Sequence, residues 1–375
     1  MPASGRLTRR FARSAAVRSA PGTRPRRGLP ARFRRERVLV IGCGDVGLRA
    51  VRQFAQSAAP ARPHWLALTS QAARQPLLRA AGITPVLGNL DQPASLRRVA
   101  AWATRVLYLA PPQPTGVTDQ RATHFVRQWR RYRAASAASA SASASASARH
   151  TRSGAPVAAG LRALAYVSTT GVYGDCGGDW APETRPVAPG SARAVRRVDA
   201  ERRMRALARR GVAVAILRAP GIYAPDRALG SPAQRLRSGA PVLHAREDVY
   251  ISRIHADDLA RACWLAVWRV RAMRVFNAVD DAVMKLGEFF DQAADVLGLP
   301  RPPRLSLAEA EQALGANRMS FLRESRRLPN TRIKRELGLQ WRYPSAFAGG
   351  LHASCLQASP SSSPLQPFAA PGAPL

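Results

Sequence analysis

The segment VLVIGCGDVG, residues 38–47, constrains the fold more than any other part of the chain. An apolar run, RVLVI (37–41), leads directly into Gly42-x-Gly44-x-x-Gly47, and a helical pattern over about 45–57 follows. In a strand–turn–helix unit of this spacing the first glycine makes the tight turn. The second lets the backbone approach a ligand, and the third lets helix and strand pack closely. The helix start presents unpaired N–H groups to negative charge. This is a cradle for the pyrophosphate of a dinucleotide, built from Gly42, Gly44, Asp45, Val46 and Gly47.

Further apolar runs recur down the chain: HWLALT (64–69), TPVLG (84–88), RVLYLA (105–110), LRALAYVST (161–169) and VAVAILR (212–218). Helical patterns separate them, including one that starts or breaks near Pro76, QPASLRRVAAWA with its early proline, and one from 191 to about 210. Continuous apolar strands alternating with helices predict a parallel sheet covered on both faces. The fold class is α/β, a Rossmann-like doubly wound sheet, over residues 37–218. Residues 1–36, rich in Arg and Pro, read as a disordered tail, and 346–375 as another. The run AASAASASASASASA within 134–160 reads as a flexible surface insertion.

The formal charge of +35, from 58 basic against 23 acidic residues, raises nucleic acid as a partner. Only Lys285 and Lys334 are lysines, so the excess is almost all arginine, the signature of GC-rich coding. That argues against a nucleic-acid role. No apolar stretch approaches the roughly 18–20 residues that span a bilayer. The four cysteines lie far apart and no His/Cys spacing suits a metal. The reading is a reduced cytoplasmic protein that acts on a small molecule, without metal or membrane.

The second strand bears on which dinucleotide is bound. An NAD site places a carboxylate about 20 residues past the glycines, on the ribose 2′-hydroxyl. Between Val46 and Leu90 there is none. The strand ends in Thr69 and Ser70, with Arg74 one turn on, and hydroxyls with a guanidinium suit a 2′-phosphate. NADP is favoured, with NAD as the alternative.

YVSTTGVYGDCGGDW, LRAPGIYAPDR and IHADDLARA occur in order after the glycine loop. With that loop they resemble the NAD-dependent epimerase/dehydratase family of extended and atypical short-chain dehydrogenase/reductases, over roughly residues 37–345. The resemblance implies a C-terminal substrate-binding part, 219–345, above the carboxyl edge of the sheet. It places Asn89 and Leu90 beside the adenine, Ala110 and Pro111 against the cofactor, and Pro220 and Gly221 at its nicotinamide end. Thr169 takes the position of the catalytic Ser/Thr. A homodimer through helices near 118–133 and 191–210 is the family's pattern, and a monomer is the alternative.

Where the family keeps Tyr-x-x-x-Lys, this chain reads SARAVRRVDAERRM (191–204). Arg193 falls at the tyrosine and Arg197 at the lysine. A guanidinium has five donors, no acceptor and a pKa above about 12, so Arg193 cannot act as general acid–base. Arg197 could still hold the ribose hydroxyls. Three readings follow. Arg193 binds an acidic substrate while Tyr173 or Tyr223 supplies the proton, or the site binds NADP without turnover as a sensor. In the third reading the helix is a solvated face with an Arg197–Glu201 ion pair. His255 and Asp257 read as a turn capping the next helix.

Overall fold

The computed structural model describes residues 36–55, 63–97, 99–146, 160–224, 226–227 and 232–347. Its first elements are β1 (Arg37–Ile41), α1 (Asp45–Ala55), β2 (His64–Thr69), α2 (Gln75–Ala80), β3 (Thr84–Leu87) and α3 (Val99–Trp102). Then come β4 (Arg105–Tyr108), α4 (Gln120–Ala146), β5 (Ala163–Thr169), α5 (Ala192–Ala208), β6 (Ala213–Ala219) and β7 (Gly221–Tyr223). α6 (Pro232–Arg237), β8 (Val242–Leu243), β9 (Tyr250–Ile251), β10 (Arg253–His255), α7 (Ala256–Arg269) and β11 (Arg274–Asn277) follow. The last are β12 (Met284–Lys285), α8 (Leu286–Leu297), β13 (Arg304–Leu305), α9 (Leu307–Ala313), α10 (Ala316–Leu322) and α11 (Thr331–Leu337).

Seven parallel strands form one sheet in the order β11-β6-β5-β4-β1-β2-β3. The apolar runs become strands because helices cover both faces. Val38 and Val40 join Leu48, Phe54, Leu259 and Val267 from α1 and α7. Leu39 and Ile41 face the other way, onto Phe125, Trp129, Met204 and Leu207 from α4 and α5. Strand order reverses between β1 and β4, which opens a crevice at their carboxyl ends, where doubly wound sheets bind ligands.

Three expectations change. The boundary at 218/219 does not divide the layers: α7 packs on the sheet and β11 completes it by pairing with β6. What lies above the carboxyl edge is a third core around Tyr223, Leu243, Phe289, Phe290 and Leu322. The Ser/Ala run, expected as a flexible insertion, continues α4 to Ala146. Alanine is the best helix former, and its propensity favours continuing the helix. Glu36, assigned to the tail, anchors the start of β1 by pairing with Arg162 at 3.1 Å, and Phe347 packs on Phe289. Residues 1–35, 147–159 and 348–375, which hold the rest of those segments, lie outside the described residues.

Among the described residues no helix is long and apolar enough to cross a membrane, and no cluster of His, Cys, Asp or Glu could hold a metal ion. Cys43, Cys176 and Cys263 are free and buried.

Candidate active site

Gly42 sits at φ +78°, and a Cβ there would lie 2.5 Å from the Ala110 nitrogen, so the β1 turn and the end of β4 touch backbone to backbone. Gly47 faces Val40, Cys43 and Leu109, where a Cβ would come within 3.1 to 3.3 Å of their side chains. A Cβ at Gly44 would have no described residue beyond its chain neighbours within 4 Å. The Cβ positions of Gly42 and Gly47 are therefore blocked by protein, while that of Gly44 is open. Such a cradle fits a pyrophosphate lying against bare backbone at the N-terminus of α1. Asp45, the first residue of that helix, pairs with Arg49 at 2.6 Å and with Arg227. Val46 is turned inward, packed against the core.

The residues expected beside the adenine lie at three strand ends. Arg74 reaches back from the turn after β2 and donates from Nη2 to the Cys43 carbonyl over 2.9 Å, placing its guanidinium at the glycine loop. Thr69 is buried and its hydroxyl bonds within the turn, accepting from Gln71 N at 3.2 Å, while Ser70 is exposed. Asn89 closes a turn by accepting from Asp91 N at 2.9 Å. Leu90 is buried, and Pro111 lies exposed beyond Ala110. Arg121 forks Asp91 at 2.7 and 2.8 Å and donates to the Pro111 carbonyl at 3.3 Å. It braces this end of the groove.

At the other end a cleft of about 420 Å³ opens where β5 and β6 finish. Thr169 pairs in register with Ala219, so its hydroxyl and the turn Pro220–Gly221 lie side by side on the cleft wall. Arg193 stands on the opposite lip with its guanidinium over the Phe321 ring, centroid distance 4.7 Å. Burial and the neighbouring guanidinium groups push its pKa down, while Glu324 opposes that shift.

The helix α5 is not a plain solvated face. Arg196 is buried and donates to the Gly116 carbonyl at 2.7 Å. Arg197 donates from Nη1 to the Val167 carbonyl at 2.9 Å, the Tyr166 hydroxyl at 3.1 Å and the Ala110 carbonyl at 3.4 Å. It ties together the ends of β4 and β5, and that nitrogen faces protein acceptors. The Arg197–Glu201 pair does not form. Glu201, 3% exposed, instead takes a two-pronged bond from Arg218, 2% exposed, at 2.8 and 3.0 Å. A buried carboxylate satisfies more of its bonding with a planar fork than with one surface neighbour.

Neither tyrosine proposed as a proton donor opens to the cleft. Tyr173 is 1% exposed, its hydroxyl donates to Asn277 Oδ1 at 2.8 Å, and Arg218 lies over its ring. Tyr223, expected at the substrate, is 3% exposed and packs edge-on to His255. Both positions are corrected to the core. His255 caps α7 as expected, accepting from Asp257 N at 3.2 Å, and stacks on Tyr343. Burial pushes its pKa down to about 4.

The cleft also contains Arg235, Arg253, Arg326 and Glu324, which the sequence reading did not single out. Glu324 is the one carboxylate among the described lining residues, held by Arg326 Nη1 at 2.7 Å. Arg326 in turn donates to the Gly174 carbonyl at 2.7 Å. Arg253 lies 3.5 Å over the Phe289 ring, and desolvation lowers its pKa to about 10. These residues are remote in sequence from Thr169 and sit in no motif. An excess of arginine along the whole chain hid them.

This chain belongs to the NAD dependent epimerase/dehydratase family, whose model matches residues 38–279. No curated protein matches it. Among solved structures, a conserved protein of unknown function from Silicibacter pomeroyi is similar at 26% identity, with a TM-score of 0.62 over 86% of this chain and 96% of its own. The dTDP-glucose 4,6-dehydratase DesIV from Streptomyces venezuelae, solved with NAD and TYD bound, shares 20% identity and a TM-score of 0.63, covering 85% and 95%. MoeE5, in complex with UDP-glucuronic acid and NAD, shares 20% identity and a TM-score of 0.59, covering 86% and 97%. At this identity the last two attest the fold.

Proposed function

We propose that the protein binds NADP(H) and uses it in an oxidoreductase or epimerase reaction on a small polar or nucleotide-linked anion held in the cleft. The observation that carries this is the glycine loop: protein blocks a Cβ at Gly42 and Gly47 but not at Gly44, at a sheet switch point beside the strand that ends in Thr169. Family membership and the NAD complexes of DesIV and MoeE5 support a nicotinamide dinucleotide.

In this reading Gly42, Gly44 and the N–H groups of α1 hold the pyrophosphate, and Arg74 with Ser70 holds the 2′-phosphate. Pro220 and Gly221 pass the nicotinamide end. The nicotinamide, when bound, supplies the acceptor or donor of a hydride. Thr169 holds the reacting oxygen by its hydroxyl. Glu324 exchanges the proton, because it is the carboxylate that lines the cleft while Tyr173 and Tyr223 are packed away. Arg193, Arg235 and Arg253 give the cleft an excess of positive charge, which suits an anion.

Fluorescence titration of the full-length protein with NADPH and with NADH tests this. Binding of NADPH at least tenfold tighter than NADH is expected. Equal affinities would make the site an NAD site, and binding of neither would end the reading.

A further inference from the structure

Arg193 stands where the family has its tyrosine, and its donors are unspent. The guanidinium lies over Phe321 and gives no hydrogen bond to any described residue. Its neighbours on α5 differ: Arg196 is bound to Gly116 and Arg197 to the strand ends. The nearby carboxylate of Glu324 is held by Arg326 at 2.7 Å, so that pair answers its own charge. A planar guanidinium stacked on an aromatic ring leaves its N–H edges for a bidentate acceptor, the geometry a carboxylate matches.

Position narrows the choice of anion. Arg193 lies in the first turn of α5 beside the Thr169–Gly171 end of β5; a Cβ on Gly171 would be 3.8 Å from Ala194 Cβ. Arg235 and Arg253 enter the same cleft from α6 and β10. A phosphate-bearing end therefore has its own cations there, and Arg193 is left beside the reacting end.

We infer that Arg193 is a specificity residue that selects a substrate carrying a carboxylate on, or next to, the reacting carbon. The inference rests on the proposed function. The class is a hydroxy acid or the uronic acid form of a sugar, free or nucleotide-linked, whose carbinol oxygen meets Thr169 while its carboxylate meets Arg193. Arg193 makes no covalent bond in this scheme.

The test is calorimetric titration of the full-length protein, saturated with NADPH, using UDP-glucuronic acid and UDP-glucose as a matched pair of probes. The expected result is at least tenfold tighter binding of the acid by the wild type. Arg193→Met should remove that preference, lowering the affinity for UDP-glucuronic acid at least tenfold more than the affinity for UDP-glucose, and Arg193→Lys should retain part of it. The inference is overturned if the wild type shows no acid preference, including binding of neither probe. It is equally overturned if the preference survives in Arg193→Met, or if that variant weakens both probes alike, since Arg193 would then hold a phosphate. NADPH titration of the same samples separates the two levels, because failure of the wild type to bind NADPH defeats the proposed function itself. If Arg193→Met alone misfolds, Arg193→Lys decides: a reduced preference supports the inference and an unchanged one rejects it.

Discussion

Arg74 donates to the carbonyl of Cys43 over 2.9 Å, bringing a guanidinium from the second βα turn onto the rim of the glycine loop. In the proposed function this cation, with no carboxylate at the end of β2, holds the additional phosphate of NADPH. Arg74→Ala should weaken NADPH by about 10- to 100-fold, the equivalent of about 1.5–3 kcal/mol for a charged hydrogen bond. NADH affinity should change less than about threefold. Parallel fluorescence titrations check this, and equal losses for both cofactors would show that Arg74 only shapes the loop.

The glycine loop permits a separation of folding from binding. Gly42→Ala should destabilise the protein by at least about 2 kcal/mol, through the left-handed backbone and the collision with Ala110. Gly44→Ala meets no protein atom within 4 Å and should leave the melting temperature nearly unchanged. It should nevertheless lower NADPH affinity tenfold or more. If Gly44→Ala binds NADPH normally, the open space at Gly44 is not where the pyrophosphate lies.

The buried fork between Arg218 and Glu201 ties β6 to α5. Glu201→Gln leaves a buried guanidinium without its counter-charge, at a cost of about 3–5 kcal/mol. Urea denaturation should show a lower midpoint with an unchanged slope. A change below about 1 kcal/mol would mean that water or another acid replaces Glu201.

Tyr173 offers a test of the corrected site. Tyr173→Phe removes the donor to Asn277 Oδ1 and should cost about 1–3 kcal/mol of stability. NADPH affinity should be unaffected, and so should turnover on any substrate found. A drop in turnover of a hundredfold at normal stability would restore Tyr173 as a proton donor.

His255 sets a pH dependence whose sign follows from burial. Its folded pKa, about 4, lies below the 6.5 of an exposed histidine. Between these values the unfolded chain binds the extra proton, so its contribution to stability is complete above about pH 6.5 and is lost progressively as pH falls toward 4. His255→Asn keeps a capping side chain and removes the titration. Its stability should fall less steeply than the wild type over that window, as measured by denaturation at closely spaced pH. Parallel slopes would place the titration elsewhere.

The strands and glycines were legible because they depend on local chemistry. VLVI, ALAYV and AVAIL are continuously apolar, the pattern of strands in a sheet covered on both faces. Gly42, Gly44 and Gly47 follow from the turn itself; a Cβ would meet protein at Gly42 and Gly47 and no described residue within 4 Å at Gly44. The helix through 191–204 was legible as well, but not what its arginines do.

Those were decided by partners far away in sequence. Arg197 went to the ends of β4 and β5, Glu201 to Arg218 on the next strand, and Tyr173 to Asn277 on β11. Each was settled by burial, which obliges a polar group to find a bond wherever the fold supplies one. Glu324, Arg326 and Arg253 line the same cleft as Thr169 only because the C-terminal segments return to the ends of β5 and β6. The sequence by itself determined the layers and the glycine turn, since these arise from periodicity and backbone freedom at neighbouring positions. The tertiary structure alone decided which charges face the cleft, because that depends on which distant segments the packed chain brings to it.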